Sequence, residues 1–150
     1  MEIYRITHKQ YANELVASGR AARWNSAGHE VIYTAGSRSL ACLENVVHRN
    51  ARGLGAQFRV MVIYVPDAIY FEIVNEKQLP KDWYESMDFS ACKQIGDSWL
   101  TEMRSAILKV PSAIIPSEAN FLLNPSHNDF SQIKLIATER FRFDQRIKRG

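Results

Sequence analysis

An α+β fold built on a largely antiparallel or mixed sheet is what this sequence predicts, and three observations carry the expectation. Short β-like runs crowd the last third of the chain, at Ala106 to Val110, Ala113 to Ile115, Asn120 to Asn124, Ile133 to Ala137 and Glu139 to Phe143. Pro111, Pro116 and Pro125 limit those runs, because proline cannot donate to a sheet ladder. Only two segments have a clear helical period. A doubly wound parallel sheet needs a helical crossover between successive strands, which this order does not supply.

The elements follow from local pattern. Val31 to Ala35 is β-branched and aromatic, a strand, and Gly36 with Ser37 punctuates it before a helix. That helix, Ser39 to Arg49, places Leu40, Leu43, Val46 and Val47 at helical spacing on one face. Phe58 to Val65 and Ala68 to Val74 read as strands separated by the Pro66-Asp67 turn. Lys81 to Cys92 is aromatic and polar without a clear period and reads as loop, with room for a helical turn. Lys93 to Ser105 is an amphipathic helix, with Ile95, Trp99 and Met103 at spacings of four.

With 150 residues, 46% hydrophobic and without internal repeats, the chain suits one domain over 1–150. No run reaches the ~20 apolar residues a membrane helix needs, and Glu2, Arg5 and Lys9 interrupt the N-terminal segment. A cytoplasmic protein is the expectation, with Cys42 and Cys92 as buried thiols. The net charge is +3 and the excess lies in Arg140, Arg142, Arg146, Lys148 and Arg149, a solvated terminus or a docking surface for an acidic partner. Gly53-Leu-Gly55 lacks a third glycine and runs from helix to strand, the reverse of the dinucleotide-binding order. There is no Walker lysine and no Gly-x-Ser-x-Gly elbow. His8, His29, His48 and His127 have no metal-ligand spacing, so no metal is expected.

The informative stretch runs from Arg23-Trp24-Asn25-Ser26-Ala27-Gly28 through Tyr33-Thr34-Ala35 to Leu43-Glu44. Here an arginine loop, a tyrosine strand and a glutamate helix occur in succession. Glu44 falls four residues after Leu40 and three before Val47, at the margin of the apolar stripe. A carboxylate there is partly desolvated and needs a partner or a task. A salt bridge to Arg23 or Arg49 and a catalytic role answer that need equally well.

Together with Tyr4-Arg5-Ile6, Pro111-Ser112 and Asn120 to Asn124-Pro125, these residues resemble the RES domain family. The resemblance covers about Tyr4 to His127 and is most specific from Arg23 to Glu44. It implies a fold similar to ADP-ribosyltransferases, a mixed or antiparallel β core with a few flanking helices. It also implies an NAD-consuming toxin partnered by an Xre-like helix-turn-helix antitoxin, with NAD as substrate and no separate cofactor. Carried over, the catalytic positions are Glu44, Arg23, Tyr33 and Ser112, with Arg5 and Asn120 as weaker candidates for phosphate and ribose contacts. The family commonly has glycines before its arginine, where this chain has Ala21 and Ala22.

The chemistry suits these residue types. Nicotinamide in NAD carries a positive charge and leaves neutral, so the pair of carboxylates used in ordinary glycoside hydrolysis is unnecessary. One carboxylate, Glu44, offsets the developing charge on the ribose. The guanidinium fork of Arg23 matches pyrophosphate oxygens. Tyr33 offers a flat face to the nicotinamide or its ribose, and without the resemblance reads as a sheet-core tyrosine. Ser112 positions substrate or Glu44, and without the resemblance is a turn residue.

Water as acceptor gives a glycohydrolase, phosphate a phosphorylase, and a protein side chain an ADP-ribosyltransferase. A ribonuclease toxin using His48 or His127 with Glu44 is the runner-up from another enzyme class. A nucleic-acid module is a third reading, resting on the basic and aromatic Arg140-Phe-Arg-Phe143 run.

Overall fold

The computed structural model describes residues 1–48 and 57–147. Among these, seven strands form one sheet in the order β4-β5-β6-β2-β1-β3-β7. The strands are β1 (Glu2–His8), β2 (Ile32–Ala35), β3 (Phe58–Tyr64), β4 (Glu72–Ile73), β5 (Ile107–Pro111), β6 (Ala119–Leu123) and β7 (Lys134–Phe141). Every pairing is antiparallel except β4 with β5, so the sheet is mixed and the class is α+β. The helices are α1 (Arg38–His48) and α2 (Ser90–Thr101).

Side-chain alternation divides the core into two faces. On one, Ile3, Ile32, Met61, Ile63, Phe121 and Leu123 form a cluster with Ala12, Val65 and Ile69 from connecting segments. On the other, α1 covers Ile6, Ala35, Val60 and Val62, and α2 covers Leu108, Val110 and Leu122. Both helices therefore lie on one face of the sheet, side by side, and the seam between them runs over β2 and β6.

Strand β1 has no expectation behind it in the sequence, yet it is central and pairs with β3 along its whole length. Its partnership with β2 is different: Tyr4 opposite Ala35 is the one register pair among the described residues. Beyond that pair side chains replace the ladder. Arg5 Nη1 donates to the Tyr33 carbonyl (2.9 Å), and Asn45 Nδ2 of α1 donates to the Ile6 carbonyl (2.9 Å). Buried carbonyls must find donors, and here two polar side chains supply them at a split in the sheet.

Several expected elements are corrected. Ala68 to Val74 is strand only at Glu72–Ile73, because Ile69 N–H closes the turn onto Pro66. Ala113 to Ile115 is not a strand: Ser112 Oγ accepts the N–H groups of Ile114 and Ile115 (3.1 Å each), and Glu118 N–H closes onto Ile115. That takes donors a ladder would need. The two runs after Ile133 are one strand, with an irregularity where Ala137 faces Val62 and Leu135 faces Ile63. Helix α2 starts at Ser90 and stops before Met103, whose left-handed backbone (φ 53°) ends it.

Helix α1 is capped by Ser37, whose Oγ accepts the Leu40 N–H (3.1 Å), and Arg49 lies outside the described residues. Its phase also differs from the apolar stripe: Leu40 and Ala41 are buried, whereas Leu43 and Val47 are exposed. Glu44 and Asn45 follow Leu40 and Ala41 at i+4 and so point at the sheet. In the C-terminal run Phe143 is buried between Phe58 (5.1 Å) and Phe141 (4.7 Å), so these aromatics are core and not a stacking surface for bases. Arg140, Arg142 and Arg146 are exposed, and Arg146 pairs with Asp144.

Candidate active site

The site is built on the face that carries both helices. Tyr33 and Ala35 of β2 point there, opposite Leu122 and Asn120 of β6. Successive residues on one face of a strand lie about 7 Å apart, so the row of Tyr33 and the row of Asn120 are neighbours.

Over the second row stands Glu44, projected from α1. Its Oε1 accepts from Ser112 Oγ (2.8 Å) and from Asn120 Nδ2 (2.7 Å), and its Oε2 lies 3.5 Å from His48 Nε2 one turn on. Helix, strand end and strand thus each contribute one group. Burial pushes the carboxyl up; the bonds from His48, Asn120 and Ser112 outweigh it, and the group is held below the usual carboxylate range. Glu44 is an ionised, largely buried carboxylate with no arginine among its bonded partners in the described residues, and the expected salt bridge to Arg23 is not among its contacts there. Asn120 Oδ1, beside it, is buried and accepts no hydrogen bond from the described residues. A hydroxyl or amide placed there finds both a carboxylate and a free amide oxygen.

Over the first row stands the loop bearing Arg23. The Tyr33 hydroxyl donates to Asn25 Oδ1 (2.5 Å) and accepts the Trp24 N–H (3.2 Å), so the tyrosine supports this loop. Burial pushes that hydroxyl far up, and it stays protonated. Asn25 is buried and donates to the carbonyls of Arg20 (2.9 Å), Ser26 (3.2 Å) and His29 (3.0 Å), which closes the loop on itself. Ala22 pairs with Asn25, and neither Ala21 nor Ala22 has a positive φ, so alanine fits where the family commonly has glycine.

The Arg23 guanidinium is held, half-buried, by aromatic residues. Its Nη1 donates to the Trp83 carbonyl (3.0 Å), and its carbon lies 4.3 Å from the Phe89 ring centre and 5.6 Å from that of Trp83. A planar cation so stacked keeps a fixed orientation. Trp83 and Phe89 come from the segment whose sequence shows no period. Only their function as flanking rings could have singled them out, and nothing in the pattern does.

The structure brings together Glu44, Ser112 and Asn120 in one cluster and Arg23 with Tyr33 in another, on the same face. Arg5 it places elsewhere. Arg5 shares the alternation of Ile3, on the opposite side of β1 from Tyr4 and Ile6, and burial lowers its pKa. With Nη1 on the Tyr33 carbonyl, any substrate contact falls to its remaining nitrogens.

A family model for the RES domain matches residues 2–144. The chain belongs to the RES domain family. A relative from Sphingobium sp. (strain YBL2), "Prs ADP-ribosylating toxin", is 36% identical over 143 residues, 92% of this chain and 89% of that protein. "Toxin Res" of Photorhabdus laumondii is 35% identical over 153 residues, 98% of this chain and 97% of that protein. Among solved structures, a chain in the M. tuberculosis MbcT-MbcA toxin-antitoxin complex superposes with a TM-score of 0.76 at 20% identity, over 94% of this chain and 84% of that one. The RES fold is thus the fold of this chain. No helix among the described residues is long and apolar enough to cross a membrane, and these residues hold no cluster of three metal-ligating side chains.

Ser112 gives a first prediction. Ser112→Ala removes one bond to Glu44 and the acceptor for two backbone N–H groups, and is expected to cost about 1–3 kcal/mol of stability. It also raises the Glu44 pKa toward its ordinary value. Because the folded value is depressed, the carboxylate's contribution to stability is complete above the unfolded value of 4.5 and is lost as pH falls through the folded one. In the variant the contribution should therefore be smaller, and its loss, which starts near the unfolded value of 4.5 in both proteins, should be complete at a higher pH than in the wild type. Urea melts of both proteins from pH 6 down to about 3 check it; coincident pH profiles would refute it.

Proposed function

We propose that this chain is the toxin of a toxin-antitoxin pair and that it breaks the nicotinamide-ribose bond of NAD. One observation carries the reading: an ionised carboxylate, Glu44, held by Ser112 and Asn120 on the face that also presents an aromatic-clamped arginine. Bond cleavage sends the electron pair to the nicotinamide nitrogen, which becomes neutral, and leaves positive charge on the ribose. Glu44 faces that charge and accepts a ribose hydroxyl, while Asn120 Oδ1 takes a second donor from substrate. Arg23 holds a diphosphate oxygen. The entering nucleophile gives its electron pair to the ribose carbon and releases a proton.

Protein ADP-ribosylation is the second reading, and the name of the Sphingobium relative favours it. The toxin names of the relatives and the toxin-antitoxin complex of the structural neighbour support an antitoxin partner. An Xre-like helix-turn-helix protein is the partner proposed, and the cytoplasm, where NAD is at hand, the proposed location.

The test is to mix purified protein with NAD and measure free nicotinamide, with and without inorganic phosphate and with candidate acceptor proteins. Release is expected, and addition of the antitoxin should suppress it. Release without phosphate or protein identifies water as acceptor; dependence on phosphate identifies phosphorolysis; label retained on protein identifies transfer. An active-site preparation that leaves NAD intact under all three conditions refutes the reading.

A further inference from the structure

We propose that Asp97 is the positioning residue of the Arg23 loop, and that α2 acts as the clamp that fixes the guanidinium over the sheet. The loop closes on itself through Asn25, but closure alone does not fix it to the body of the protein. Two attachments do. One is the Tyr33 hydroxyl. The other is Asp97, whose Oδ1 accepts the Ser26 N–H (2.9 Å) and whose Oδ2 accepts Ser26 Oγ (2.5 Å), so that both carboxylate oxygens grip one residue. Charge-assisted bonds of this kind are stronger and more directional than neutral ones.

Packing says the same. Gly96 meets the loop backbone so closely that a Cβ there would lie 1.7 Å from the Trp24 carbonyl oxygen and 2.8 Å from its carbon. No side chain fits, so glycine at this helical position is required by the approach of the Trp24 peptide and not by backbone conformation. Phe89, Cys92 and Gly96 recur at helical spacing on one face of α2 and its entry. Phe89 stacks on the Arg23 guanidinium, Cys92 feels its charge, and Gly96 carries Trp24. One side of α2 thus serves the loop from Arg23 to Ser26, and Asp97 is its polar fastening.

The catalytic consequence rests on the NAD reading; the clamp itself does not. In Asp97→Asn volume is kept and the charge is lost: the amide oxygen still accepts the Ser26 N–H and the amide N–H can donate to Ser26 Oγ, so both bonds become neutral and weaker. The Ser26 amide is expected to exchange with solvent about tenfold faster, the effect of turning charge-assisted bonds into neutral ones, with strand amides of β3 and β5 unchanged. For NAD, kcat/KM is expected to fall about 10–100-fold, through KM more than kcat, because a displacement of about 1 Å in a binding group is that costly. Asp97→Asn added to Arg23→Ala should cost little beyond Arg23→Ala alone, since both act on one group.

Gly96→Ala is expected to disturb the fold and is not needed for the test. Unchanged Ser26 exchange would overturn the proposal, as would a rise spread evenly over the sheet, or an Asp97→Asn loss that adds in full to that of Arg23→Ala. If the wild type leaves NAD untouched, the functional reading fails, and Ser26 exchange still decides the clamp.

Discussion

Glu44→Gln is expected to lower nicotinamide release about a thousandfold or more while the protein still folds. The substitution keeps volume, and the remaining carbonyl oxygen can still accept from Ser112 and Asn120 at the positions now occupied around Oε1. What disappears is the charge. A buried carboxylate close to a forming oxocarbenium acts at low effective dielectric, where its worth exceeds that of the same group in water. Ground-state NAD already carries its positive charge on the ring nitrogen, so some binding weakens too, but the larger loss falls on kcat. Nicotinamide release under saturating NAD, with circular dichroism and a melting curve alongside, separates the two effects. Turnover within about threefold of the wild type would remove Glu44 from the mechanism.

Much of this site was legible in the sequence, for reasons that differ by residue. Glu44 stood out because a charge beside Leu40 cannot be ignored, yet its phase was misjudged. Leu43 and Val47 are apolar and exposed, so periodicity placed the stripe toward them, and only the fold shows that Glu44 faces Ser112 and Asn120 while Asn45 faces the split between β1 and β2. Strand β1 was invisible because Glu2, Arg5 and Thr7 break its apolar pattern; Arg5 is tolerated there by donating to a carbonyl that lacks a strand partner. Ser112 and Asn120 lie 68 and 76 residues from Glu44, and no local rule links such positions; the family pattern did. Asp97, Trp83 and Phe89 carried no signal at all. Their value comes from what packs against them, which spacing along a chain does not encode.

Arg23→Ala is the second large effect: kcat/KM for NAD should fall by about 100-fold, mostly through KM. The guanidinium offers a diphosphate a charge and a planar fork, and Phe89 and the Trp83 carbonyl have already fixed that fork's orientation. Alanine loses all three features. Arg23→Lys separates them, because lysine restores the charge without the fork and stacks less well on a ring. If charge alone mattered, lysine would recover most of the activity; if geometry matters, recovery stays below about tenfold, and the second outcome is expected from how tightly the side chain is framed. The same comparison bears on stability. Arg23→Ala leaves the Trp83 carbonyl without its donor and uncovers the Phe89 ring, at a cost of about 1 kcal/mol, small enough that the variant remains folded and the kinetics report binding. Wild-type KM in both variants would show that the phosphates of NAD lie elsewhere, and the pairing of an arginine loop with a glutamate helix on one face would then need a different substrate.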